Sequence, residues 1–238
     1  MIFLEIARVT VRGLLGRRRT ILLVLLAAVP VLVGLLVHAN QGSLVAVGAT
    51  VDALVVRIIL PLVALVFGTA ALGSELEDGL AVHLLTKPIG RSTIVLAKTA
   101  VAGSLTAALV VPSTAITALL IAPASAAGAD TVALAVGALV GSYVYAAIFV
   151  ALGVVTSRGL IVGLGYALIW EGLLAGLLPG SQVFSVREYV RGIASVISPG
   201  VLASVVGSAG FLYAAIALVA AVAVAAYRLA RFEVRGGD

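Results

Sequence analysis

Apolar residues run through this chain in long blocks separated by short polar or basic stretches. Six blocks have the length of a membrane crossing: Thr20 to Ala39, Leu54 to Gly73, Ile94 to Ile121, Val132 to Val155, Leu160 to Leu178 and Ala209 to Tyr227. A helix needs about 20 mainly apolar residues to span the hydrocarbon core, so the pattern predicts six transmembrane helices. Ahead of the first block, Ile2 to Leu15 sets Ile2, Ile6, Val9 and Gly13 on one face, with Arg8 and Arg12 apart from them. That spacing predicts an amphipathic helix lying on the inner membrane surface. A secretory signal ending at Val37-His38-Ala39 is the competing reading of this start. The apolar run exceeds the roughly 7–15 residues of a signal core, and the leader before it is long, so a retained first helix fits better.

Composition agrees with the pattern. Of 238 residues, 63% are hydrophobic and 11% charged, and the mean hydropathy is +1.27. Globular chains carry roughly 45–50% apolar and about 25% charged residues. The blocks and their loops leave no room for a soluble catalytic domain, and residues 1–238 read as one transmembrane domain. The net charge of +5 is distributed by side. Six spans place both termini together, with Arg8, Arg12, Arg17, Arg18, Arg19, Lys87, Arg91, Lys98, Arg158, Arg228, Arg231 and Arg235 on their side. The other side keeps Arg57, Arg187 and Arg191. This asymmetry puts both termini in the cytoplasm and removes the need for a nucleic-acid partner to explain the charge. The absence of cysteine excludes disulfide and thiolate chemistry.

Pro30, Pro61 and Pro112 fall inside spans. They are read either as kinks that shape the helices or as hinges for alternating access. Gly137/Gly141, Gly159/Gly163 and Gly172/Gly176 make small-xxx-small pairs that permit close helix contact.

Two polar segments have internal order. From Ser74 through Glu75, Leu76, Glu77 and Asp78 to Leu80, Leu84, Pro88 and Arg91, the chain shows a capping-box spacing of Ser74 and Glu77, then a stripe of Leu76, Leu80 and Leu84. A short cytoplasmic helix is expected there. Its stripe either rests on the membrane and neighbouring helices or docks on another protein. On the outer side, Ser185 and Glu188 repeat the capping-box spacing, with Phe184 and Tyr189 at hydrophobic-staple positions. Val186, Tyr189, Val190, Ile193 and Ile197 then share one face, opposite Arg187, Glu188, Arg191 and Ser195, until Pro199-Gly200. This predicts an amphipathic helix in the outer interface, serving as a lid over an exit path or as a surface anchor.

No catalytic constellation is visible. The phosphate-binding loop with its lysine and hydroxyl residue is missing, and His38 and His83 lie at opposite ends of the membrane map. The chain is therefore read as no enzyme, with no catalytic, cofactor-binding or metal-ligating residues. Glu171 falls roughly 16 Å into the fifth span, close to the midplane of a core about 30 Å thick. An acid there costs on the order of 2.5–3.5 kcal/mol and should face the protein interior. Arg57 is its expected partner. A transport-path role and a purely structural one stay open for the pair.

Layout and loop together resemble the permease subunits of ABC-2-type, type V ABC transporters. The most specific part is Glu75-Leu76-Glu77-Asp78-Gly79-Leu80 through Leu84-Leu85-Thr86-Lys87-Pro88-Ile89-Gly90-Arg91 to Lys98. Trp170-Glu171-Gly172 to Pro179, followed by Ser185-Val186-Arg187, is similar to prokaryotic members related to the copper-processing permeases. The resemblance implies an all-α prokaryotic plasma-membrane protein whose first cytoplasmic loop carries a coupling helix for a separate ATPase. Glu75, Leu76, Glu77, Asp78, Leu80, Leu84, Pro88 and Arg91 would form that docking element. ATP and magnesium would bind the partner, and a second permease copy or paralogue would complete the transporter. Export of an unidentified solute is the leading expectation. A membrane scaffold or assembly factor and an ion-coupled secondary transporter are the competing ones.

Overall fold

Small side chains on one central helix determine how the others pack. The computed structural model describes residues 2–39, 44–77, 90–122, 127–177 and 180–231, with no strand among them. In chain order, α1 is Ile2–Leu14, α2 is Arg17–Ala39 and α3 is Leu44–Thr50. A π-helical segment, Val51–Ile59, leads into α4, Leu60–Glu77, and then come α5, Arg91–Ile121, and α6, Ala127–Val155. Next, α7, Gly159–Gly165, continues through a second π-helical segment, Tyr166–Leu174, into α8, Ala175–Leu177. A 3-10 turn, Ser181–Phe184, precedes α9, Val186–Ile197, and α10 is Ala209–Ala230.

Among the described residues, five stretches are long and apolar enough to cross a membrane: Arg18–Ala39, Ala46–Gly73, Arg91–Ile121, Ala127–Val155 and Ala209–Ala230. The expected fifth span is the exception. Gly159–Leu174 is apolar but shorter, roughly 24 Å at 1.5 Å per residue against a core of about 30 Å.

α6 is the hub, packed by α4, α5, α9 and α10. It buries Gly137, Ala138, Gly141, Ser142, Ala146, Ala147 and Gly153, small residues that let neighbouring backbones approach where lipid offers no hydrophobic drive to associate. Two of the three glycine pairs sit at such contacts. A Cβ on Gly141 would lie 2.6 Å from a Val190 methyl, and one on Gly159 would lie 3.0 Å from the Gly153 Cα. Gly172 meets only its own turn, at the Ala167 oxygen.

The prolines show a shaping role. Pro61 lacks the donor needed to continue either hydrogen-bond ladder, and the change from π to α geometry falls beside it, between Ile59 and Leu60. Beside Pro30 the Ser113 hydroxyl of α5 donates to the Ala27 carbonyl, so α5 supplies a donor where α2 is disturbed.

The structure differs from the sequence expectations at three places. α4 continues unbroken through Ser74 to Glu77, so Ser74 lies inside a helix and does not cap a new one. In α1, the packed face is Ile6, Thr10 and Leu14, while Leu4 and Val9 are exposed. The stripe facing α5 is thus rotated from the expected Ile2-Ile6-Val9-Gly13 face, because the helix packs on protein as well as facing a membrane surface. On α9, Phe184 is 69% exposed and forms no staple with Tyr189; Tyr189 packs instead against the Tyr213 ring, with centroids 6.0 Å apart.

Candidate functional site

Charge concentrates where α9 meets the rest of the bundle. The helix starts as its sequence predicts: Ser185 is the N-cap, and its side chain accepts from the Glu188 amide. Glu188 does not reach back to complete the box. Its carboxylate takes Arg191 at 2.6 Å, while the Ser185 amide donates to the Gln182 carbonyl.

Glu171 supplies what the helix start lacks. The side chain is buried, at 1% exposure. Its carboxylate accepts the Ser185 hydroxyl at 2.5 Å, the Val186 amide at 2.8 Å and the Tyr166 hydroxyl at 3.0 Å. The first amides of a helix have no partners within it, and the aligned peptide dipoles leave its N-terminus positive. A carboxylate from the second π-helical segment therefore caps a helix that is separate in sequence. The expected Arg57 partner is not found: Arg57 is exposed and joins none of the ion pairs among the described residues. Glu171 meets hydroxyl and amide donors because α9 folds back beside it, an arrangement that spacing along the chain does not encode.

The second contact is ionic. Asp52, on the first π-helical segment, accepts the Arg187 Nε at 3.1 Å and the same guanidinium's Nη2, and the Arg191 Nε lies 3.6 Å away. Burial disfavours the Arg187 charge, but the hydrogen bonds and charge of Asp52 outweigh this and raise its pKa above the ordinary arginine value. The Tyr189 hydroxyl donates to the Val183 carbonyl at 2.7 Å. Burial, with Glu171 and Tyr213 nearby, pushes its pKa up to about 12, so it remains a donor across the physiological range. Asp130, at the start of α6, accepts the Ser198 hydroxyl at the other end of α9. The polar face of α9 is thus largely enclosed, with Glu188 5% exposed, and α9 is built into the bundle.

Sequence reasoning passed over Asp52. Its signal was available: an acid at the outer end of a span, on the same side of the membrane map as the i, i+4 pair Arg187 and Arg191. Near the start of α5, Lys98 is buried and donates to the Ala71 carbonyl of α4 at 2.6 Å. Of the expected docking element, Glu75, Leu76 and Glu77 continue α4 and Arg91 begins α5. Asp78, Leu80, Leu84 and Pro88 lie outside the described residues. Among the described residues no group of three or more His, Cys, Asp or Glu side chains is arranged to hold a metal ion.

None of the curated proteins matches this chain. The family described as ABC-2 family transporter protein matches residues 15–171, from the end of α1 through the segment between α4 and α5 to Glu171. That stretch is well over half of the sequence, and the chain belongs to the ABC-2 transporter family of membrane proteins.

Proposed function

We propose that this chain is the permease subunit of an ABC exporter in a prokaryotic plasma membrane, related to the copper-processing group. A separate ATPase docks on the Ser74 to Arg91 loop, carries the ATP and magnesium, and drives movement of an amphiphile or other solute outward. The family match carries the reading, because it runs through that loop and the leucine stripe needs an apolar partner. Both termini lie in the cytoplasm, and Gly159–Leu174 makes the sixth crossing, its reach extended by α8 and the turn into α9. Thinning of the bilayer accommodates so short a helix at a modest cost. Arg57 supports a second permease copy: an exposed guanidinium on a span is costly against hydrocarbon, and a protein neighbour or a watery path between two copies removes that cost. Glu171 serves the route by holding α9.

The test is co-purification. The chain alone hydrolyses no ATP, and Leu80→Asp abolishes recovery of the partner ATPase with the membrane-embedded permease, since docking would strip water from an unpaired charge. Normal recovery with that variant would remove the coupling role from the loop.

A further inference from the structure

α9 rests on α6 where that helix presents glycine. A Cβ on Gly137 would stand 2.9 Å from the Val190 backbone oxygen, and Val186, Val190 and Ile193 of α9 are buried against the bundle. Asp130 holds Ser198 just past its C-terminal end, and two carboxylates hold its polar face, Glu171 at its N-terminus and Asp52 on Arg187 and Arg191. Both belong to π-helical segments, Tyr166–Leu174 and Val51–Ile59, a geometry that is rare and concentrated at functional sites. The chain turns through left-handed glycines on either side of the unit, at Gly180 (φ 83°) before it and Gly200 (φ 97°) after it. Such turns absorb large backbone rotations without the strain that a Cβ adds.

We propose that Asp52 and Glu171 are positioning residues that dock α9 over the outer end of the bundle, and that α9 swings as one body about Gly180 and Gly200 to let cargo out. Hydrogen bonds and ion pairs suit such a dock, because water on the outer side replaces them when they break, while the apolar face of α9 must be covered by cargo or lipid as it moves. The cargo step rests on the exporter reading above; the docking of α9 by the two carboxylates does not.

The native chain has no cysteine, and Ala194 on α9 is fully buried, so Ala194→Cys reports undocking to a membrane-impermeant thiol reagent. In the full-length permease, Asp52→Asn and Glu171→Gln should each raise the labelling rate by roughly tenfold or more, while Asp52→Glu should restore slow labelling. Unchanged labelling in both neutral variants overturns the docking assignment. In a second arm, Tyr189→Cys on α9 with Tyr213→Cys on α10, whose rings face one another, is bridged by a reducible bifunctional thiol reagent in the permease assembled with its ATPase. Bridging should stop transport and reduction should restore it. Transport at the unbridged rate with the bridge in place makes α9 a fixed wall and overturns the swing. A wild-type assembly that transports nothing counts against the exporter reading, and the labelling arm still decides the docks.

Discussion

At Glu171 three donors from two elements converge on one carboxylate, so its removal strands more than its own side chain. Each buried donor left without an acceptor costs about 1–3 kcal/mol. Glu171→Ala should therefore lower the thermal midpoint of the purified permease more than Ser185→Ala, which loses an N-cap worth about 0.5–2 kcal/mol. Both variants release the Ser185 hydroxyl contact, so the double variant should be less damaging than the summed singles. Additive losses would show that the cap and the carboxylate act separately. Burial and the need for a partner were legible for Glu171 from its place in an apolar run. The partner's identity was not, because Ser185 and Val186 reach it only through the fold-back of α9. Arg57 drew attention as a cation on the right side of the membrane, yet Asp52, five positions earlier, is the residue turned toward α9.

Packing of whole elements turns on where glycine is replaceable. At Gly137 the obstacle to a methyl group is the Val190 backbone oxygen, which cannot move aside without shifting α9. Gly137→Ala should destabilise the permease by about 1–3 kcal/mol, the usual range for overpacking, and loosen α9 on its seat. At Gly13, within α1, a Cβ meets nothing within 4 Å. Gly13→Ala should be neutral or stabilising by roughly 0.5–1 kcal/mol, because alanine loses less backbone freedom on entering a helix. Thermal unfolding of the two variants side by side checks both signs. If Gly137→Ala proves as harmless as Gly13→Ala, the close seat of α9 on α6 is wrong.

For the molecule as a whole, topology depends on the short helix Gly159–Leu174. If it crosses, Ser157 lies on the cytoplasmic side with Gly16, and Gln182 lies outside with Ser208. Single cysteines at these four positions should divide two against two with an outside-only reagent, labelling Gln182→Cys and Ser208→Cys alone. Labelling of Ser157→Cys and Gln182→Cys from the same face would mean that this segment enters and leaves by one side. The charge asymmetry argues for a crossing, since it keeps Arg158 with the basic residues of the two ends.

Composition and the spacing of apolar blocks were sufficient for an all-helical membrane protein, for the five membrane-length stretches among its described residues, the second of which begins at Ala46 and not Leu54, and for a capped helix beginning at Ser185. These are local properties: hydrocarbon demands backbone bonds closed within each segment, and a cap needs only near neighbours in sequence. The capping-box spacing at Ser74 failed as a helix start because the preceding span simply continues, and neither π-helical segment left a visible mark, since π and α geometry place the same apolar residues along a span. Tertiary structure alone decided that α9 is enclosed by the bundle, that Asp52 holds Arg187, and that Glu171 caps a helix across a turn. Each of these joins residues distant in sequence through the close approach that glycines on α6 permit, and a period along the chain carries no information about which distant donor will arrive at a buried acid.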